Sequence, residues 1–90
     1  MRLHDGYDRK GKVEHEFRAM TRDEVLGLAA GSRVWFRAND GTARMLKING
    51  AVRTWKRDPD RVEVPTKYGL YEFAALSLAE ATAKLLVEVA

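Results

Sequence analysis

Two dipeptides constrain this chain more than anything else in it. Asp40-Gly41 and Asn49-Gly50 are of the kind that closes two-residue β-hairpins, because a type I′ turn needs positive φ at both central positions. Each is flanked by apolar, β-branched or aromatic residues. That pattern predicts strands at Arg33–Ala38, Thr42–Ile48 and Ala51–Arg57, arranged as an antiparallel meander. Asp58-Pro59-Asp60 supplies a further turn, and a fourth strand runs from Arg61 to Val64, ending at Pro65. Thr66–Phe73 reads as a strand broken by a turn or bulge at Gly69.

The flanks carry helix signals. Thr21-Arg22-Asp23-Glu24 is a capping box that opens a helix over Arg22–Ala30, with Gly31 as its C-terminal cap. Ser77-Leu78-Ala79-Glu80 is a second capping box, so a short helix is expected near the C-terminus. The segment Leu85–Val89 could extend that helix, but Leu85, Val87 and Val89 alternate, which favours a closing strand after it. Val13, His15 and Phe17 alternate as well and predict a short strand. Residues 1–16 otherwise read as a loose leader, frayed from Met1 to about Lys12, with the domain proper over 17–90. Ninety residues leave room for one core. The expected fold class is mostly β with short helices, a small barrel of about five strands that curls to close its own edges.

Charge is unevenly spread although the net is only +3. Residues 1–32 balance six basic against six acidic groups, residues 62–90 hold two against four, and residues 33–61 hold eight against three. The excess therefore lies on the predicted meander. With two-residue turns, Arg37 pairs with Arg44, Trp35 with Leu46 and Arg33 with Ile48, while Arg44 pairs with Trp55 and Thr42 with Arg57. Side chains alternate between faces with period two. One face then gathers Arg33, Trp35, Arg37, Arg44, Arg53, Trp55 and Arg57, which includes both tryptophans of the chain. Like charges directly across a strand pair are unfavourable, so Arg37 opposite Arg44 favours an anion on this face. Guanidinium groups for phosphate and indole faces for base stacking are what a single-stranded nucleic acid needs. The competing reading is an ordinary solvated face with Arg stacked on Trp, or a face covered by the C-terminal helix. A bulge in either strand would move part of the set to the other side.

Chemistry finds less support. The chain has no cysteine, which excludes disulfides, thiolate metal sites and a thiol nucleophile. His4-Asp5 and His15-Glu16 lack metal-ligand spacing. Ser32 and Ser77 have no neighbouring histidine base, and Asp58 and Asp60 are turn residues. Tyr68, Tyr71 and Phe73 beside Lys67 read as core aromatics, with a ligand-contacting rim as the alternative. No catalytic residue, metal or cofactor is expected. No apolar run approaches membrane-spanning length, and Met1-Arg2-Leu3-His4-Asp5 is not the start of a secretory signal. A cytoplasmic protein without membrane association is the expectation.

The stretch from Gly31 to Tyr71 resembles small SH3-like β-barrel proteins encoded by phages and mobile elements. The residues that carry the resemblance are Val34-Trp35-Phe36-Arg37, Asn49-Gly50, Thr54-Trp55-Lys56-Arg57-Asp58-Pro59 and Lys67-Tyr68-Gly69-Leu70-Tyr71-Glu72. The resemblance implies an SH3-like barrel and, for a phage protein, the host cytoplasm; it transfers no activity. The functional expectation is a non-enzymatic accessory protein that binds nucleic acid, single strands before duplex, with weak sequence preference. Its alternative is a protein–protein adaptor using the same Trp, Tyr and Arg side chains as anchors.

Overall fold

The computed structural model describes residues 1–67 and 73–89. Among these residues eight strands and two helices follow one another as β1 (Arg2–His4), β2 (Glu14–Ala19), α1 (Arg22–Leu26), β3 (Arg33–Arg37), β4 (Ala43–Lys47), β5 (Arg53–Thr54), β6 (Arg61–Glu63), β7 (Leu76–Ser77), α2 (Leu78–Lys84) and β8 (Leu85–Glu88). The fold is mostly β, as the turn pattern predicts. Five strands form one antiparallel sheet in the order β1-β2-β8-β3-β4, and β5-β6-β7 form a second. The larger sheet curls until Asp5, just past β1, makes a parallel bridge to Ala43 of β4, giving a small barrel-like wall.

Burial follows that wall. Inside the curl every strand contributes one apolar side chain: Leu3, Phe17, Leu86, Trp35 and Ala43. The outer face of β3, β4 and β8 offers Val34, Phe36, Leu46 and Leu85 to a larger cluster. That cluster is completed by Val62 and Val64 at β6, by Leu76, and by Val25, Leu78 and Ala81 from the helices. Phe73 joins it fully buried, edge-on to Phe36 with ring centroids 5.6 Å apart.

The turns decide how the meander departs from expectation. The β3–β4 loop has three residues: Ala38 N–H donates to the Thr42 carbonyl at 2.8 Å and Gly41 N–H to the Ala38 carbonyl at 2.9 Å. Only Gly41 takes positive φ, at 83°, which is the three-residue hairpin with a glycine bulge rather than a type I′ turn. The Asp40 carboxylate braces it by accepting from the Thr42 hydroxyl at 2.7 Å and the Thr42 N–H at 3.0 Å. Those bonds hold its pKa below the usual carboxylate range, with a smaller contribution from Arg44. The register moves by one residue: Arg37 faces Ala43, Trp35 faces Met45 and Arg33 faces Lys47. Every side chain of β4 is thereby on the opposite face from the one predicted.

Asn49-Gly50 makes no hairpin. Neither residue has positive φ, and Asn49 N–H donates to the Pro65 carbonyl at 2.8 Å. The chain leaves β4 for the second sheet, where β5 pairs with β6 and sets Arg53 opposite Glu63. The predicted strand Ala51–Arg57 shrinks to Arg53–Thr54, because burying Val62 and Val64 against the larger sheet requires a separate layer.

The opening residues are also corrected. β1 pairs with β2 through Arg2–Glu16, Leu3–His15 and His4–Glu14. The Asp8 carboxylate orders the following loop by accepting from the N–H groups of Lys12 and Val13 at 2.8 Å and Lys10 at 3.1 Å. These bonds, Val13 first, depress its pKa. At Gly6 the chain passes so close to β4 that a Cβ would lie 2.7 Å from Arg44 Cγ and Thr42 Oγ1.

The outer edge of β4 is filled piecemeal. Its odd-numbered residues turn their backbone groups away from β3. Gly6 N–H donates to Ala43 and Lys67 N–H to Lys47, at 2.8 and 3.0 Å. Between them the Tyr7 hydroxyl accepts from Met45 N–H at 3.2 Å and donates to its carbonyl at 3.4 Å. Helix α1 has the predicted capping box but ends at Gly27, so Ala30 and Gly31 belong to the loop into β3. α2 runs straight into β8, as the alternation at Leu85 and Val87 predicts. The proposed break at Gly69 lies outside the described residues.

Two outcomes test this architecture. Gly6→Val forces a branched side chain into the β1–β4 seam and should destabilise by about 1–3 kcal/mol, the usual cost of overpacking. A denaturation midpoint equal to wild type would contradict the close approach. Glu24 is held at a pKa of about 2, below its ordinary 4.5, first by its bonds to Arg18 and then by the Thr21 N–H. A carboxylate depressed on folding stabilises fully above the higher value and loses that contribution as pH falls toward the lower one. The stability gap between wild type and Glu24→Gln should therefore be constant above about pH 4.5 and shrink between there and about pH 2, read by urea denaturation.

Candidate nucleic-acid interface

The seven residues expected on one basic–aromatic face separate into three groups. Arg33, Trp35 and Arg37 alternate along one side of β3, where β4 now offers Ala43, Met45 and Lys47. The wall is curved, so the middle of this face is covered and its ends are open. Trp35 is partly buried in the curl, 5.2 Å from the His15 ring and 5.4 Å from Phe17 between centroids. Arg33, Arg37 and Lys47 are exposed. Trp35 is thus a wall residue and does not share a stacking platform with Trp55.

Arg44 falls on the other face, opposite Phe36. Its guanidinium lies 3.4 Å from the Asp40 carboxylate and 5.8 Å from the centre of the Tyr7 ring. It already has an anion and an aromatic face from its own chain.

Arg53, Trp55 and Arg57 stay together, on the hairpin joining β5 to β6. Every residue from Arg53 to Arg61 is exposed, and Trp55 retains 46% of its surface. Two backbone bonds shape the tip: Asp58 N–H to the Trp55 carbonyl at 3.3 Å and Arg61 N–H to the Asp58 carbonyl at 3.0 Å. Arg61 is 3.7 Å from Asp58. Arg53, Lys56 and Arg57 have no ion pair among the described residues. The hairpin therefore displays three cations outside any salt bridge around an accessible indole, with Glu63 across the strand pair from Arg53. Lys56 belongs to this group as well, although strict alternation along a strand Ala51–Arg57 turns it to the face opposite Trp55 and Arg57.

Two further groupings were not anticipated. Arg33 and Lys47 stand directly opposite each other on β3 and β4, and with Lys67, Met45 and Leu46 they line an open cavity of about 210 Å³. His15 spans two carboxylates, its Nδ1 3.0 Å from Glu88 and its Nε2 3.4 Å from Asp5. That arrangement ties β2, β8 and the loop after β1 together. Asp5 and Glu88 are far apart in sequence, so no local spacing signals it. Among the described residues no group of three or more His, Cys, Asp or Glu side chains is placed to hold a metal ion, and no helix is long and apolar enough to cross a membrane.

The two indoles should separate in a quenching experiment. Acrylamide should quench the emission of Trp35→Phe, which keeps only Trp55, much more steeply than that of Trp55→Phe. Equal quenching of the two variants would contradict the placement of Trp35 within the wall. Compared with protein-family models, curated proteins and solved structures, the chain finds no match.

Proposed function

We propose that this protein is a non-enzymatic accessory protein of the cytoplasm that binds nucleic acid, single strands foremost, through the β5–β6 hairpin. The observation that supports the reading is the exposed Trp55 set among Arg53, Lys56 and Arg57, none of them in a salt bridge among the described residues. An exposed indole offers a stacking surface to any base, and neighbouring cations track the backbone phosphates. A protruding hairpin reaches unstacked bases more readily than the concave wall, whose indole is already packed on Phe17 and His15. Stacking on an indole and contacts to phosphate are open to every base, so sequence preference is weak.

Titration with a short oligonucleotide, followed by Trp55 fluorescence, tests the proposal. Trp55→Ala should cost about 1–3 kcal/mol of binding, the usual value of one stacked base. Neutralising Arg53, Lys56 and Arg57 together should reduce the slope of log affinity against log salt by about 2, since each single-strand phosphate contact contributes about 0.7. Absence of any response at low salt, or a response unchanged in both variants, would refute it.

A further inference from the structure

The open end of the wall carries a second site on different residues. We propose that the cavity bounded by Arg33, Lys47 and Lys67 binds a terminal phosphate monoester, the group borne by a nucleoside monophosphate or by the 5′ end of a strand.

Arg33 and Lys47 are cross-strand partners on the same face of the hairpin. Like charges in that position destabilise the pair they occupy, and neither has an ion pair among the described residues. Lys67 is brought to the same place by its N–H, which donates to the Lys47 carbonyl at 3.0 Å. Among the described residues that line this cavity, three are cationic and none is acidic. A dianion relieves this repulsion more completely than the single charge of a phosphodiester, and the planar Arg fork suits two of its oxygens.

The cavity's size and floor extend the argument. Its volume of about 210 Å³ equals that of roughly seven liquid waters at ~30 Å³ each, more than a phosphate group alone requires. Met45 and Leu46 line it as well. Of these, Met45 is half-buried on the same face as Arg33 and Lys47, and gives an apolar surface on which the sugar or base beyond the phosphate can rest. Inorganic phosphate should therefore bind, and a nucleoside 5′-monophosphate should bind more tightly.

Amide chemical shifts of the full chain, titrated with inorganic phosphate and with adenosine 5′-monophosphate against chloride at matched ionic strength, provide the test. Shifts should concentrate at residues 33, 45–47 and 67. Arg33→Gln and Lys47→Gln should each weaken binding about tenfold or more, the effect of losing one charged hydrogen bond. Lys47→Glu provides an independent reading. It replaces the repulsion with an Arg33–Glu attraction, so it should raise the melting temperature without phosphate and abolish the further rise that phosphate gives wild type. Arg53→Gln should leave phosphate binding unchanged while weakening oligonucleotide binding, so this site and the hairpin fail separately. Oligonucleotides with and without a 5′-phosphate distinguish the sources: a preference for the phosphorylated end assigns a strand terminus, and tight mononucleotide binding with no end preference assigns a free nucleotide. Shifts no larger than those from chloride, or binding unaffected by the Arg33 and Lys47 variants, would overturn the proposal.

Discussion

The strand furthest along the chain holds the rest together. β8 lies between β2 and β3, so neither half of the larger sheet completes its hydrogen bonding without it. Its adjacent leucines face opposite ways. Leu86 enters the small cluster inside the curl and Leu85 the large cluster outside it, both with at most 1% of their surface exposed. Burying one such side chain is worth about 1.5–3 kcal/mol, a large share of the stability of a domain this small. Bonds from Met20 N–H to Leu85 and from Val89 N–H to Glu16 carry the pairing past the ends of the regular ladder.

That double burial determines where charge is displayed. With one face of the wall turned inward and the other covered by the second sheet and the helices, no broad flat surface is left for a basic–aromatic platform. Cations of β3 and β4 are pushed to the strand ends, where Arg33 and Lys47 meet. The rest of the excess is carried out on the β5–β6 hairpin. One stretch of positive sequence becomes two separate surfaces, and the two tryptophans serve different ends: Trp35 packs the wall while Trp55 remains accessible.

Much of this was legible in the residues. The strands at Arg33–Arg37, Ala43–Lys47 and Arg61–Glu63, the capping box at Thr21, the Ser77 N-cap without its reciprocal Glu80 bond, and the passage from α2 into β8 follow from local patterns. What failed was the step from turns to faces. Asp40-Gly41 fits either a two-residue or a three-residue loop, and the choice reverses all of β4 while leaving its strand pattern unchanged. Asn49-Gly50 resembles a hairpin turn, yet the burial of Val62 and Val64 overrides it. The opening residues seemed featureless because their order comes from Asp5 and Asp8 bonding the backbone around them, which leaves no apolar period. Consequently Arg44 was assigned to the wrong face, whereas the exposed group Arg53, Trp55 and Arg57 survived because it depends only on adjacency in sequence.

The patchwork along β4 has a bearing on how the protein behaves at high concentration. An unpaired strand edge is a template for another molecule's strand. Here the template is interrupted at Ala43 by a backbone, at Met45 by a phenol and at Lys47 by a second backbone. No incoming strand can match that sequence of partners in register. Loops that contribute nothing to either apolar cluster thereby deny this edge to a neighbouring molecule's strand, and their value lies in the pairing they prevent.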